Sequence, residues 1–223
     1  MNSEPQDGLK PNLSMIADAS QTSLRMWAAP LCLMVLLVLL ELLGDSGREW
    51  LRYDRALIAD GQWWRLVTGN FVHLGWWHLF LNEMGLAVLV LLCPQPLSPA
   101  VWVRRLLILS ISLSLGLYFL VPGLTTYVGM SGVIHGLFVL GLVPQVLKKD
   151  LIALGCLLYL LGKLGWEIYS GTPVSDAREI GGAVVLQAHL FGALSACVYG
   201  AVFRAFTRVE KFSFKQEQGT VAP

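Results

Sequence analysis

Residues 128–147 read VGMSGVIHGLFVLGLVPQVL and contain no Asp, Glu, Lys or Arg. An apolar helix of about 20 residues is long enough to cross the hydrocarbon core of a bilayer. Ser131 lies near the start of this stretch and His135 one turn further on, and polar groups at membrane depth are costly enough to need a reason. The stretch therefore predicts a membrane-spanning helix that carries a serine near one end.

Five other stretches have a similar length and apolar character: residues 26–43, 76–93, 102–121, 151–169 and 183–206. The chain is 55 % hydrophobic and 14 % charged, and a soluble domain of 223 residues could not hide that much apolar surface. The sequence thus predicts an all-α polytopic membrane protein, a bundle of six spans with the lipid bilayer as its solvent. We expect residues 1–25 to form a polar N-terminal tail, residues 26–206 the six-span domain and residues 207–223 a C-terminal tail.

Lys and Arg residues are distributed unequally between the two sides of such a bundle. With six spans both tails share a side, and that side collects ten basic residues against five on the other. Because loops rich in Lys and Arg stay in the cytoplasm, both termini are expected there. The loop of residues 45–75, on the opposite side, carries tryptophans among charges and is expected to lie at the membrane interface as an amphipathic segment.

Charge and cysteine usage argue against two classes of function. The net charge of the chain is +1, so the sequence has no electrostatic footprint for nucleic acid. Its four cysteines lie in apolar runs without the spacing of a metal site, and we expect them to be buried thiols. No metal and no cofactor are expected.

Polar side chains of the second, fourth and sixth predicted spans fall at one depth. His78 and Asn82 lie in the first turns of the second span. Ser131 opens the fourth span, and His189 lies about two turns into the sixth. Because these three spans cross the membrane in the same direction, all four side chains belong to its outer half. Scattered structural residues would have no reason to share a level, so the four predict a site.

Ser131 lies in the tetrapeptide Gly129-Met130-Ser131-Gly132. Its small neighbours leave the hydroxyl open, and the start of a helix offers backbone N–H groups that suit an oxyanion. The same tetrapeptide is also typical of a serine that caps or packs a helix, and this alternative stays open.

Small residues recur at every fourth position of the sixth span: Ala188, Gly192, Ala196 and Gly200. Such a stripe allows close packing against Gly132 and Gly136 of the fourth span. That packing would place His189 within reach of the Ser131 proton. The alternative is that His189 only hydrogen-bonds a backbone carbonyl.

Other polar residues can be interpreted either as part of the site or as structural and surface residues. His78 and Asn82, at i and i+4, share one helix face and can either donate to an oxyanion or join helices by hydrogen bonds. Glu83 is rotated by about 100° from Asn82 and is expected to have a structural or water-facing role. Lys163 and Glu167, another i, i+4 pair near the outer end of the fifth span, are expected to snorkel towards the surface.

Taken in order along the chain, these motifs resemble the rhomboid family. Members have six core helices, a Gly-x-Ser-Gly serine opening the fourth and a histidine followed by small residues in the sixth. Their second span carries His-x-x-x-Asn, here His78 to Asn82, often with another histidine five residues earlier, here His73. The Trp-Arg pair of their first long loop is matched by Trp64-Arg65. The resemblance covers all six predicted spans.

The resemblance implies an intramembrane serine endopeptidase with a catalytic dyad of Ser131 and His189 and no third acidic member. His78, Asn82 and the backbone N–H of Ser131 would hold the oxyanion. The Trp-Arg pair would stabilise the first loop rather than react. The implied substrates are single-pass transmembrane proteins, cleaved at or within the outer half of the bilayer.

Two positions depart from the family pattern. His135 stands where a tyrosine that packs on the catalytic histidine is usual, and Ala196 stands where glycine is usual, a change that still permits close packing. The pattern Ser-Gly-x-x-His-Gly, which starts at Ser131, resembles the rhombosortase branch of short bacterial chains. That branch implies the inner membrane, a site facing the periplasm, and substrates ending in a Gly-Gly motif, one membrane helix and a basic tail. His135 is then either a ring packed on His189 or an alternative base.

Two other functions fit parts of the pattern. A catalytically inactive rhomboid-like protein would bind and escort membrane clients, although such proteins usually lack the serine or the histidine that this chain has. A small transporter or channel could use the histidines as a proton relay, but it would not require the hydroxyl of Ser131. Loss of activity on Ser131→Ala would separate a protease from both.

Overall fold

The structure, a computed structural model, describes residues 13–173 and 182–206, with side chains from residue 26 onward. This part of the chain is mostly helical, as the sequence predicts, with nine helices and two short strands. In chain order these are α1 (Leu13–Glu41), α2 (Gly44–Leu51), β1 (Tyr53–Asp54), α3 (Arg55–Ala59), α4 (Arg65–Thr68), α5 (Trp76–Leu92), α6 (Pro99–Leu120), β2 (Thr126–Tyr127), α7 (Ser131–Leu147), α8 (Leu151–Ser170) and α9 (Leu186–Val202).

Several helix boundaries have local causes. The side chain of Ser98 caps α6 by accepting from the N–H of Val101. Pro99 follows in the first turn, where its missing N–H would have no partner in any case. Asp150 caps α8 through two N–H groups of the first turn, and Gly171 ends that helix in the left-handed region with φ 66°.

The predicted spans agree with the helices to within a few residues at most ends. At the start of the chain they differ, because α1 begins at Leu13 and residues 13–25 of the predicted polar tail are helical. The last helix is shorter than predicted, because the backbone turns at Phe203 and Arg204 takes φ 52°. Residues 1–12 and the predicted C-terminal tail, residues 207–223, lie outside the described residues.

Length and hydropathy single out α6 and α8, among the described helices, as able to cross a membrane. Residues Met26–Glu41 of α1 together with α2 form a third candidate, bent by 111° at the break between them. Helices α5, α7 and α9 are apolar but have 17 residues each. A full crossing needs about 20 residues. Two to three of the six predicted spans thus have the full length.

Helix α7 lies in the middle of the bundle and packs against α5, α6, α8 and α9. Its residues Val133, Leu137 and Leu140 are buried with Leu86 of α5 and Leu109 of α6. Many large apolar side chains on the outer faces of the long helices are exposed, unlike those of a soluble bundle. An apolar exterior is what a lipid solvent favours, and it identifies a membrane protein built of apolar helices.

The prediction of four buried thiols is correct for one residue only. Cys93 is buried in the core, and Cys156 is half-buried. Cys32 and Cys197 are exposed on the outside of the bundle. All four thiols are free.

The segment between α1 and α5 is tied to the bundle by a short antiparallel pairing. In it Tyr53 of β1 lies opposite Tyr127 of β2, and Asp54 lies opposite Thr126. The pairing joins the first long loop to the segment that leads into α7. Trp50 and other tryptophans of this loop remain exposed, as expected for an interfacial segment.

Arg65 holds this loop together from inside. Its guanidinium, in a residue only 3 % exposed, donates to the backbone carbonyls of Glu49 at 3.0 Å and Arg52 at 2.8 Å. A third bond reaches the side-chain oxygen of Gln62 at 2.7 Å. The ring of the neighbouring Trp64 contacts the ring of Trp50 at the surface of the loop. The hydrogen bonds of Arg65 tie separate parts of this loop together, and the loop-stabilising role that the resemblance implies for Trp64-Arg65 stays a prediction.

Candidate active site

Ser131 is the first residue of α7, and the turn before it depends on Gly129. Gly129 has φ 117°, a conformation that residues with a side chain rarely adopt. A Cβ at this position would also lie 2.7 Å from Cε1 of His78. The N–H of Gly129 donates to the carbonyl of Gly69, and its own carbonyl accepts from the hydroxyl of Tyr127. The loops that precede α5 and α7 therefore fix the position at which the serine begins its helix.

Helices α7 and α9 meet at small residues. A Cβ on Gly132 would lie 2.6 Å from the carbonyl oxygen of Ala188, and a Cβ on Gly136 would lie 2.6 Å from that of Gly192. A Cβ on Gly192 would in turn overlap the carbonyl oxygen of Gly132. Ala196, further along α9, is fully buried. The close packing of these two helices, which the small-residue stripe predicts, is present in the structure.

This packing brings Ser131 and His189 into contact. The Oγ of Ser131 lies 2.9 Å from Nε2 of His189, which is hydrogen-bond distance. His189 is 4 % exposed, so bulk water does not compete for its ring. When Nε2 carries no proton, the serine hydroxyl donates to it. The geometry matches the arrangement expected of a nucleophile and its general base.

The second ring nitrogen of His189 contacts a carboxylate rather than a backbone carbonyl. Its Nδ1 lies 2.9 Å from Oε2 of Glu167 on α8. Glu167 is 1 % exposed, and its other oxygen accepts a hydrogen bond of 2.6 Å from the amine of Lys163. One expectation is therefore wrong, because Glu167 does not snorkel to the surface. The contact between Glu167 and His189 is one that the sequence did not predict.

Glu167 is the site residue that the sequence reasoning missed. An i, i+4 Lys-Glu pair is a common feature of exposed helix faces, and this favoured the interpretation that Lys163 and Glu167 reach towards the surface. A signal was nevertheless present in the sequence. The fifth predicted span runs towards the outer side, so Glu167 near its end shares the depth used to select His189.

His135 lies one turn after Ser131 and packs on the face of His189. Its Nδ1 lies 2.7 Å from the backbone carbonyl oxygen of Ser131, and its Nε2 lies 3.1 Å from the amine of Lys163. Because the amine donates to Nε2, Nδ1 carries the proton and donates to the carbonyl. Both ring nitrogens are thus engaged away from the serine hydroxyl, which argues against His135 as an alternative base.

His78 and Asn82 line the same cavity as Ser131 and His189. The amide nitrogen of Asn82 donates to the backbone carbonyl of His78 at 2.8 Å, which leaves one amide hydrogen for another acceptor. His73 lies behind His78, edge to face, with ring centroids 5.1 Å apart. His73 is fully buried, and neither of its nitrogens has a hydrogen-bond partner among the described residues. Burial, with a smaller effect from His78, lowers the pKa of His73 to about 3.

Two cavities meet at Ser131. The first, of about 420 Å³, lies under the loops that precede α5, α7 and α9 and includes polar residues such as Arg52, His78 and His189. The second, of about 470 Å³, lies between α5, α7 and α8 and is lined mainly by apolar side chains. Ser131 and Asn82 line both. The serine is therefore open to a polar chamber on one side and to an apolar cleft on the other.

This arrangement can support nucleophilic attack on a carbonyl carbon. The serine has a base on one side, and the start of α7 supplies N–H groups for a developing oxyanion. His78 and Asn82 can contribute further donors across the cavity. Among the side chains of residues 26–173 and 182–206, no group of three or more His, Cys, Asp or Glu is placed to hold a metal ion.

Comparison with known proteins agrees with this geometry. The Rhomboid domain family matches residues 60–206, which include Ser131, His189, His78, Asn82 and Glu167. The chain is also similar to the rhomboid protease homologue YdcA of Bacillus subtilis (strain 168), with 34 % identity over 98 residues. The aligned part is 43 % of this chain and 48 % of that protein. The chain thus spans about half the length of this relative.

Proposed function

Because the chain belongs to the Rhomboid family, we propose that it is an intramembrane serine endopeptidase that cleaves single-pass membrane proteins. The hydrogen bond of 2.9 Å between Ser131 Oγ and His189 Nε2 is the observation that carries the proposal. Family membership alone would also fit an inactive relative. Such a relative would have no need of a serine hydroxyl in hydrogen-bonding contact with a buried histidine.

In the proposed reaction Ser131 Oγ attacks the scissile carbonyl carbon while its proton passes to His189 Nε2. The carbonyl π electrons move to oxygen, and the oxyanion is held by the backbone N–H of Ser131 with His78 and Asn82. When the intermediate collapses, the C–N bond breaks and the leaving amine takes the proton from Nε2. Water then attacks the ester while His189 accepts a proton from it. That proton passes to Ser131 Oγ as the acyl C–O bond breaks, which releases the acid and restores the serine.

The apolar cleft between α5 and α8 is the proposed entry path for the substrate helix. It reaches Ser131 from the side of the bundle, whereas the polar chamber reaches it from above. A transmembrane segment could move along the cleft without leaving lipid, and its unwound end would enter the chamber where water is available for hydrolysis.

The surrounding membrane arrangement is part of the proposal. The three helices of 17 residues complete six spans, with the polar loops extending their reach at the ends. Both termini lie in the cytoplasm of a bacterial cell, and the polar chamber faces the periplasm. This orientation rests on the excess of Lys and Arg in the loops on the cytoplasmic side.

The substrate class we propose is the one that the rhombosortase branch implies: a Gly-Gly motif followed by one membrane helix and a basic tail. Support comes from His135, which occupies the position of the family's tyrosine and packs on His189. A Gly-Gly segment is also readily unwound, because glycine disfavours the helix by about 1 kcal/mol per residue. The bond cleaved would then be exposed at the outer end of the substrate helix.

The test co-expresses the protein with two tagged substrates. One is a generic single-pass rhomboid substrate, and the other ends in Gly-Gly, an apolar helix and basic residues. Each is combined with wild type, Ser131→Ala and His189→Ala, and with Ser112→Ala as the matched control. Ser112 lies on the exposed side of α6, away from the cavity, so its loss should leave cleavage unchanged.

If wild type and Ser112→Ala cleave the Gly-Gly substrate while Ser131→Ala and His189→Ala do not, both the mechanism and the substrate class are supported. Cleavage of only the generic substrate would keep the protease and discard the rhombosortase assignment. Cleavage by the Ser131→Ala protein would overturn the mechanism. If neither substrate is cut, and a serine-directed covalent probe also fails to label Ser131, the inactive client-binding alternative is favoured.

A further inference from the structure

We propose that Glu167 is a positioning residue that completes a Ser131–His189–Glu167 triad, with Lys163 holding its carboxylate in place. This inference rests on the proposed protease function and extends it beyond the dyad that the family resemblance implies. Its basis is the contact of 2.9 Å between Glu167 Oε2 and His189 Nδ1, on the side of the ring opposite the serine.

The two bonds of His189 have complementary directions. A carboxylate can only accept a hydrogen bond, so Nδ1 of His189 carries the proton and donates the bond to Glu167. The neutral ring then has an unprotonated Nε2, which faces the Ser131 hydroxyl at 2.9 Å. Glu167 therefore selects the tautomer in which His189 can act as a base. It also fixes the rotation of the ring, which would otherwise turn about its bond to Cβ.

Lys163 explains how a carboxylate can remain ionised at this depth. Its amine donates to Oε1 of Glu167 at 2.6 Å, one turn earlier on α8. An isolated buried charge is expensive, whereas a hydrogen-bonded pair offsets much of that cost. The charge of Lys163 is opposite to that of Glu167, so the pair adds no net charge to the bundle. When His189 takes the serine proton, the carboxylate faces the new positive charge directly.

The hydrogen bonds that begin at the side chain of Ser131 lead back to the backbone carbonyl of Ser131. Lys163 also donates to Nε2 of His135 at 3.1 Å, and Nδ1 of His135 donates to the backbone carbonyl of Ser131 at 2.7 Å. The bonds thus form a closed ring through the side chains of His189, Glu167, Lys163 and His135. Each member has a fixed partner on both sides, so the site is pre-organised before substrate enters.

The experiment measures kcat and KM on whichever substrate wild type cleaves, for Glu167→Gln and Glu167→Asp in detergent. The matched control is Glu83→Gln, the same change in a carboxylate on α5 that takes no part in the network. We expect Glu167→Gln to lower kcat by about 100-fold or more with KM changed by less than about threefold, because only the orientation of the base is lost. Glu167→Asp keeps a carboxylate and should recover part of the loss.

A kcat of Glu167→Gln within about threefold of wild type would overturn the triad while the protease proposal stands, since wild type still cleaves and Ser131→Ala does not. A loss in Glu167→Gln matched by an equal loss in Glu83→Gln would also overturn it, because the effect would then come from any membrane carboxylate. Because Glu167→Gln leaves the charge of Lys163 without its carboxylate and can lower stability, a second variant is measured beside it.

Lys163→Met/Glu167→Gln removes both charges together and avoids leaving Lys163 uncompensated in the bundle. The triad predicts a kcat loss in this double variant at least as large as in Glu167→Gln. An activity-independent measurement completes the test: in protein with ¹⁵N-labelled histidine, His189 should show a strongly downfield Nδ1 proton that is absent from both variants. Wild type without that resonance, or with His189 protonated on Nε2 instead, would overturn the inference whether or not a substrate is found.

Discussion

The imidazole rings of His135 and His189 stack nearly parallel, with centroids 4.2 Å apart and planes inclined by 12°. His135 is held in this position by the backbone carbonyl of Ser131 and by the amine of Lys163. His189 is held by Ser131 and Glu167 in the plane of its own ring. The ring of His189 is therefore constrained in its plane by hydrogen bonds and across its plane by an aromatic neighbour.

The first prediction concerns that neighbour. His135→Ala removes the stacked ring, and we expect cleavage to fall by about 10- to 100-fold, because a small misplacement of a catalytic group costs that order of rate. His135→Tyr restores an aromatic face and should be the more active of the two variants. The measurement is the cleavage rate per folded enzyme. Residual cleavage by His189→Ala that disappears on adding His135→Ala would contradict this account, because it would make His135 a base.

The second prediction concerns the contact between α7 and α9. Gly192→Ala places a Cβ against the carbonyl oxygen of Gly132 and should destabilise the fold by about 1–3 kcal/mol, as overpacking does. Gly165→Ala on α8 is the matched control. It meets nothing within 4 Å and should be neutral or gain about 0.5–1 kcal/mol. Thermal unfolding in detergent compares the two, and equal melting temperatures would show that the helices do not pack as closely as described.

The third prediction concerns Arg65. Arg65→Met leaves two backbone carbonyls and a side-chain oxygen without their charged donor, and we expect a loss of about 1.5–3 kcal/mol or more in stability. Lys148→Met, at an exposed position, should change little. If Arg65 acts only through the loop, the kcat of the fraction still folded stays near that of wild type. A complete loss of kcat without a change in melting temperature would give Arg65 a direct role instead.

The fourth prediction concerns His73 and pH. Its pKa is about 3 in the folded protein and about 6.5 in an unfolded chain, so between these values the unfolded state binds the extra proton. Stability should therefore fall as the pH drops below about 6.5, at up to about 1.4 kcal/mol per pH unit. His73→Phe keeps a ring beside His78 without a titrating group. The difference in melting temperature between pH 7.5 and pH 5 should be smaller in this variant, and an equal difference would contradict the assignment.

The fifth prediction concerns the apolar cleft. Val88 on α5 and Tyr159 on α8 line it from opposite sides. Changing both to cysteine in a background without native cysteines, and bridging them with a bifunctional thiol reagent, should block cleavage of membrane-embedded substrates. Each single-cysteine variant treated with the same reagent is the control. Undiminished cleavage by the bridged protein would mean that substrate does not enter between these helices.

The parts of the fold that could be predicted from sequence are those with a local cause. Runs of apolar residues located the long helices, because apolar length is a property of a continuous segment. The spacing of Ala188 and Gly192 predicted the contact with α7, because residues four apart share a helix face. The pairing of Tyr53 with Tyr127 could not be predicted, since two-residue strands have no periodicity and their partner lies far along the chain.

The site divides in a similar way. Ser131 and His189 could be proposed from depth and motif, and the structure places them in contact. Glu167 shares the predicted depth of His189, but the direction in which α8 turns its side chain depends on packing against α7 and α9, which the sequence alone does not give. His135 had two possible roles in the sequence, and only the bonds at its two nitrogens distinguish them.

The bond between Ser131 and His189 joins residues 58 positions apart, and His189 belongs to α9, the last of the described helices. During synthesis the serine is added to the chain before its proposed base. In the proposed protease, a nascent chain that has not reached α9 therefore has a hydroxyl with no group to activate it. Activity would begin only when the final helix inserts, which protects neighbouring membrane proteins from an unfinished enzyme.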